Sequence, residues 1–108
     1  MARAEAIRSL NDHFRQTLQG GRALVTRGVL AHGDAFAQRA IAAVQTFVAF
    51  TPDNDPHGEH DFGAVEIDGV RVFFKIDYYD LSEQAGSPDP ADPNATVRVL
   101  TIMLAEDY

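Results

Sequence analysis

The side chains of this chain that could do chemistry are imidazoles and carboxylates. There are four histidines and sixteen Asp or Glu among 108 residues, and no cysteine. Disulfide and thiolate chemistry are therefore excluded, and a zinc site would need His and carboxylate ligands alone. The reactive groups crowd between Thr51 and Asp80, where Asp53, Asp55, His57, Glu59, His60, Asp61, Asp77 and Asp80 fall. A carboxylate that orients an imidazole is half of many acid–base sites. His60 with Asp77 is the pair that the local spacing suggests for it.

That pairing rests on a hairpin. Asp68-Gly69 sits between two alternating apolar and polar runs, a strong signal for a two-residue turn. With that turn, Ile67 faces Val70 and the numbers of every opposed pair sum to 137. Val65 then meets Val72 and Gly63 meets Phe74 on a core face. Glu66 meets Arg71, Ala64 meets Phe73, Phe62 meets Lys75 and His60 meets Asp77 on the other. A one-residue slip would exchange the faces, so the register is a direct test.

Two other chemistries fit less well. Asp53, Asp55, Glu59 and Asp61 are oxygen ligands in a loop, but neither the glycine nor the closing glutamate of a calcium loop is in place. His57 and His60 are three apart, a spacing that needs a helix, and Pro56 and Gly58 argue against one. The expectation is no metal and no cofactor. Phe62, Phe73, Tyr79 and Lys75 on one sheet face could stack bases, but acidic surroundings disfavour nucleic acid and favour a protein contact or a homodimer.

The elements that must position these groups follow from periodicity. Ile7, Leu10, Phe14 and Leu18 mark a helix over residues 3–18, ended by Gly20-Gly21. Arg22 to Val29 reads as a strand, with Gly28 as a bulge or stop. Asp34 is a plausible N-cap for a second helix, with Phe36, Ala40, Val44 and Phe47 as its core stripe, running to about Phe50. Thr51-Pro52 stops it. After the hairpin, Ser82 to Asn94 is a turn-rich surface loop. Thr96 to Ala105 is apolar on both faces in its second half, as a central strand is. The order α-β-α-β-β-β predicts one α+β domain over residues 1–108: two helices on one face of a four-stranded, mainly antiparallel sheet. The strand order is not predicted.

Charge is divided along the chain. Residues 1–50 carry six Arg against three acids, and residues 51–108 carry thirteen acids against Arg71, Lys75 and Arg98. No run approaches the ~20 apolar residues of a membrane span. The N-terminal stretch lacks the apolar core of an export signal, so the expectation is a cytoplasmic protein.

Several runs together resemble a bacterial family, domain of unknown function 3768. They are Thr51–Gly63 (TPDNDPHGEHDFG), Phe74–Asp80 (FKIDYYD), Gly86–Pro93 (GSPDPADP) and Arg98–Glu106 (RVLTIMLAE), with Ile7–Asp12 (IRSLND) and Gly20–Arg22 (GGR) at the start. The resemblance implies a small single-domain protein of the kind carried on plasmids and mobile elements beside anti-restriction-like genes. It implies no activity, so no catalytic residue is carried over. It suggests an inhibitor of a host defence system, anti-CRISPR or anti-restriction in type. The leading expectation is a non-enzymatic binding protein whose acids stand in for phosphates on a basic, nucleic-acid-handling partner. Asp53, Asp55, Glu59, Asp61, Asp77, Asp80, Asp89 and Asp92 would be its contact carboxylates. The alternatives are a small hydrolase or metal-dependent enzyme using His60 and Asp77, and an oligomeric structural subunit.

Overall fold

A computed structural model describes residues 3–108. Helix α1 spans Arg3–Thr17, strand β1 Gly21–Val25, α2 Arg27–Leu30, α3 Asp34–Gln45, β2 Phe62–Ile67, β3 Val70–Tyr79 and β4 Val97–Leu104. A short 3-10 turn, Ala105–Asp107, follows β4. The four strands form one sheet in the order β1-β4-β3-β2. β2 pairs antiparallel with β3 and β3 with β4, while β1 lies parallel to β4. The class is α+β, and the sheet is mixed.

The hairpin register is the one that the turn dictates. Ile67 faces Val70, and the pairing runs on to Phe62 and Lys75. Asp68 and Gly69 both have positive φ, 53° and 80°, the requirement of the turn that matches strand twist. On the inner face Val72 and Phe74 are fully buried, and Ile76 nearly so. They meet Phe36, Ala40 and Val44 of α3, Leu100 and Ile102 of β4, and Phe14 of α1 in one core.

Three departures from the sequence reading have local causes. The strand expected over residues 22–29 stops at Val25, where parallel pairing with Ile102 ends. The chain then turns into α2, burying Val29 completely. Gly28 sits inside that turn, not at a bulge. A Cβ there would meet Leu104 and the Asp107 carboxylate, so glycine lets the C-terminal turn close over α2. The residue before α3 is Gly33, with φ of 97°. Asp34 is thus the first helical residue and complements the helix dipole instead of capping it.

Helix α3 ends at Gln45, not near Phe50. Thr46 Oγ1 donates to Ala42 O at 2.9 Å as the helix closes. Phe47 and Phe50 then fold back to meet the Phe74 ring edge-on, with centroids 5.3 and 6.3 Å away. Aromatic packing here outweighs continuation of the helix.

Candidate functional site

Helix α1 turns two polar side chains into the protein. Asn11 and Arg15 are 0% and 2% exposed, on the same buried side of the helix as the apolar Ile7 and Phe14. Buried polar groups must be hydrogen-bonded, and nearly all of these are. Asn11 Nδ2 donates to Glu59 O at 3.0 Å and to Tyr78 Oη at 2.8 Å. Its Oδ1 accepts from Arg98 Nε at 2.8 Å. Tyr78 Oη in turn donates to Glu59 Oε1 at 2.8 Å. Arg98, itself 3% exposed, lies over the Tyr78 ring at 5.3 Å and donates to Pro90 O. One asparagine thus ties α1 to the Glu59 loop, to β3 and to β4.

A second cluster adjoins it. Asp12 Oδ1 accepts from Arg15 at 2.9 Å and lies 2.8 Å from His60 Nδ1. Arg15 also donates to Phe47 O at 3.2 Å, and its guanidinium lies 5.1 Å from the Phe50 ring centroid. Its Nε alone has no partner. His60 stacks flat on Phe50, with centroids 3.8 Å apart and planes at 4°. Its Nε2 is 3.6 Å from Asp55 Oδ2. Asp55 Oδ1 accepts the backbone N–H of both Glu59 and His60 at 3.1 Å. Arg8 reaches Gly58 O at 3.2 Å. The loop that carries the His and the acids is therefore pinned along α1.

The expected His60–Asp77 pair does not form. Antiparallel pairing extends one residue past β2, where Ile76 N donates to Asp61 O at 2.8 Å. His60 then has φ of 56°, a left-handed turn that takes its ring off the sheet and onto α1. Asp77 pairs with Lys75 at 2.9 Å on the open face of the sheet. The carboxylates that bracket His60 are Asp12 and Asp55. Sequence reading missed Asn11, Asp12 and Arg15. Their signal was polar residues on the inner stripe of an otherwise amphipathic helix.

The eight expected contact acids divide. Asp55 is buried and spends its carboxylate on backbone N–H groups, so it is not a surface contact. Asp53 is exposed, and Glu59 and Asp61 are half-buried. In the second loop, Asp80 Oδ1 accepts from Ser82 and from Gln84 N, Asp89 Oδ1 from Ala91 N, and Asp92 Oδ1 from Asn94 N. Arg3 lies 3.1 Å from Asp89. Ser87 and Thr96 share a 2.7 Å hydrogen bond that closes the base of this loop. The start of β2, the end of β3 and the start of β4 lie at one end of the sheet. Both acidic loops are consequently at that end.

Electrostatics follow from burial. Asp61 has its pKa raised, first by burial and then by Glu59 and Asp55. Burial drives the Tyr78 phenol far above its ordinary value, which keeps its O–H as a donor. Burial also lowers the Arg98 pKa, against the pull of Tyr78 and Glu59. Among the described residues, no group of three or more His, Asp or Glu could hold a metal ion. None of the described helices is long and apolar enough to cross a membrane.

A family model described as "Protein of unknown function (DUF3768)" matches residues 25–107. The chain belongs to this family. The match contains Asp55, Glu59, His60, Tyr78 and Arg98, while α1, with Asn11, Asp12 and Arg15, lies before it. No curated protein and no solved structure matches the chain. Family membership thus names a fold lineage and leaves the chemistry to be argued from the site.

Proposed function

We propose that this is a cytoplasmic, non-enzymatic binding protein that presents its acidic end to a basic, nucleic-acid-handling partner. The observation that carries the reading is the gathering of two acid-rich loops at one end of the sheet, one of them pinned to α1 by partly buried hydrogen bonds. Asp53, Glu59, Asp61, Asp80, Asp89 and Asp92 are the carboxylates so placed. A loop already ordered loses little entropy on binding, so fixed carboxylates can mimic the spacing of phosphates. Charge complementarity of this kind speeds association and is weakened by salt. An inhibitor of a host nuclease or CRISPR complex would use this chemistry, competing with the nucleic acid for the partner's groove.

The test is capture of partners from host lysate at low and at raised salt, with a variant carrying Asp53→Asn, Asp61→Asn, Asp80→Asn and Asp92→Asn. Asparagine keeps an acceptor oxygen for the loop hydrogen bonds and removes only charge. A nuclease or nucleic-acid-binding subunit held at low salt, shed at high salt and lost by the variant supports the reading. Partners retained equally by the variant at both salts overturn it.

A second reading keeps His60 as an acid–base group, now between Asp12 and Asp55. The specific observation in its favour is that both ring nitrogens face a carboxylate. It predicts a hydrolytic activity lost in His60→Gln while the fold is retained.

A further inference from the structure

The two edges of the sheet differ. β1 is a five-residue strand whose Arg22 is tied to Glu83 of the second loop. β2, the other edge, is guarded by a single charge, Glu66. Phe62 to Ile67 contains no proline and no lysine, and its ladder with β3 runs without a bulge. Natural sheets block or twist such edges unless something covers them.

The groups offered at this edge can be named. In a two-residue hairpin the pair nearest the turn exchanges both hydrogen bonds, so Ile67, Val65 and Gly63 bond inward to β3. The bond from Ile76 N to Asp61 O continues that alternation. Phe62, Ala64 and Glu66 therefore point their N–H and C=O outward. An open groove of about 290 Å³ follows the edge, lined by Ala64, Val65, Glu66 and Arg71.

The geometry points to a second copy of this chain as the occupant, paired antiparallel through β2 about a two-fold axis at Ala64. In that register Ala64 faces its own mate, and Phe62 faces Glu66 of the second copy. All three outward residues then exchange both hydrogen bonds. Their side chains lie on the open face of the sheet, and the row across the interface reads Arg71, Glu66, then Phe62 and Lys75 of the second copy. Each glutamate sits between Arg71 of its own chain and Phe62 of the second copy, and no like charges are opposed. The small Ala64 pair leaves room for the aromatic cluster of Phe62, Phe73 and Tyr108 to approach its mate. The two four-stranded sheets merge into one. A two-fold axis at Glu66 would oppose the two glutamates directly.

The absence of cysteine makes the test clean. Hydrogen-bonded antiparallel partners have Cα atoms about 5.5 Å apart, within disulfide reach. Ala64→Cys should give an oxidised covalent dimer in near-quantitative yield. Glu66→Cys, about 13 Å from its mate by the rise per residue, should stay reduced. The parent chain should sediment at twice its 11.8 kDa mass. Ala64→Pro removes only an outward N–H and should raise the dimer dissociation constant tenfold or more, with an unchanged far-ultraviolet spectrum. A parent chain that stays monomeric at high concentration, or a Glu66→Cys that cross-links as readily as Ala64→Cys, overturns the proposal. An edge that serves a strand of another protein would give that monomer.

Discussion

His60 Nδ1 lies 2.8 Å from Asp12 Oδ1, a contact between a loop and a helix 48 positions apart in the chain. Asp12 is also the carboxylate that Arg15 donates to, and Arg15 is all but fully buried. The one side chain therefore neutralises a buried guanidinium and anchors the acidic loop.

Replacing Asp12 with alanine should cost about 2–3 kcal/mol, because a buried cation loses its counter-charge and the loop its anchor. Asp12→Asn, which keeps an acceptor without charge, should fall between the two. Urea denaturation measures this. A loss under about 0.5 kcal/mol would mean that solvent screens the pair, as it does ordinary surface bridges.

Tyr78→Phe removes a hydroxyl that accepts from Asn11 and donates to Glu59. The cost at neutral pH should be about 1–2 kcal/mol. Burial raises the folded phenol above its ordinary 10.0, so the unfolded chain loses the proton first. Stability is then level below pH 10 and falls as pH rises above it. Tyr78→Phe should lose less over that alkaline range than the parent. In a spectroscopic titration of the three tyrosines, Tyr78 should ionise last.

Asp61 behaves in the opposite sense to a salt-bridged carboxylate. Its folded pKa is raised above 3.8, chiefly by burial. The folded state therefore holds the proton more tightly, and stability falls as pH rises from 3.8 through the folded value. Asp61→Asn should melt higher than the parent at pH 7 and gain nothing at pH 3. An equal gain at both pH values would point to hydrogen bonding, not charge.

Gly63→Ala should destabilise by about 1–3 kcal/mol through overpacking. A Cβ there would collide with the Phe74 ring and press on Phe47 at 3.0 Å. Phe74 is fully buried in the core, so its ring can yield only by displacing other core side chains. Adding Phe74→Leu to Gly63→Ala should recover part of the loss, so the two substitutions should be non-additive in thermal melts.

Local rules made a large part of the fold legible. Asp68-Gly69 set the hairpin register because only a turn with positive φ at both residues joins strands of that twist. Helical spacing placed α1 within a residue and marked Phe36, Ala40 and Val44 of α3 as core. The doubly apolar run after Asn94 was an interior strand, as β4 is. Family membership was readable from long runs of side chains. By contrast, α3 stopped short because Phe47 and Phe50 gained more against Phe74 than from further helical turns, a contact between distant residues.

The same division holds at the candidate site. The sequence placed thirteen of the sixteen acids and two of the four histidines in the second half of the chain, with the densest cluster between Thr51 and Asp80. Which carboxylate meets which imidazole was decided in three dimensions. The hairpin register, extended two residues past Phe62, would have set His60 against Asp77, but the left-handed turn at His60 carried the ring to Asp12. Asn11 and Arg15 looked like ordinary polar positions on a helix. Asn11 is buried where Tyr78 and Arg98 supply its partners and Arg15 where Asp12 and the Phe47 carbonyl do, and partners brought together by folding have no local signature. Local periodicity and turn chemistry determine elements and register. The pairing of elements far apart in sequence, here β1 beside β4 and α1 against the Asp55–His60 loop, is decided by which buried surfaces and hydrogen bonds can all be satisfied at once.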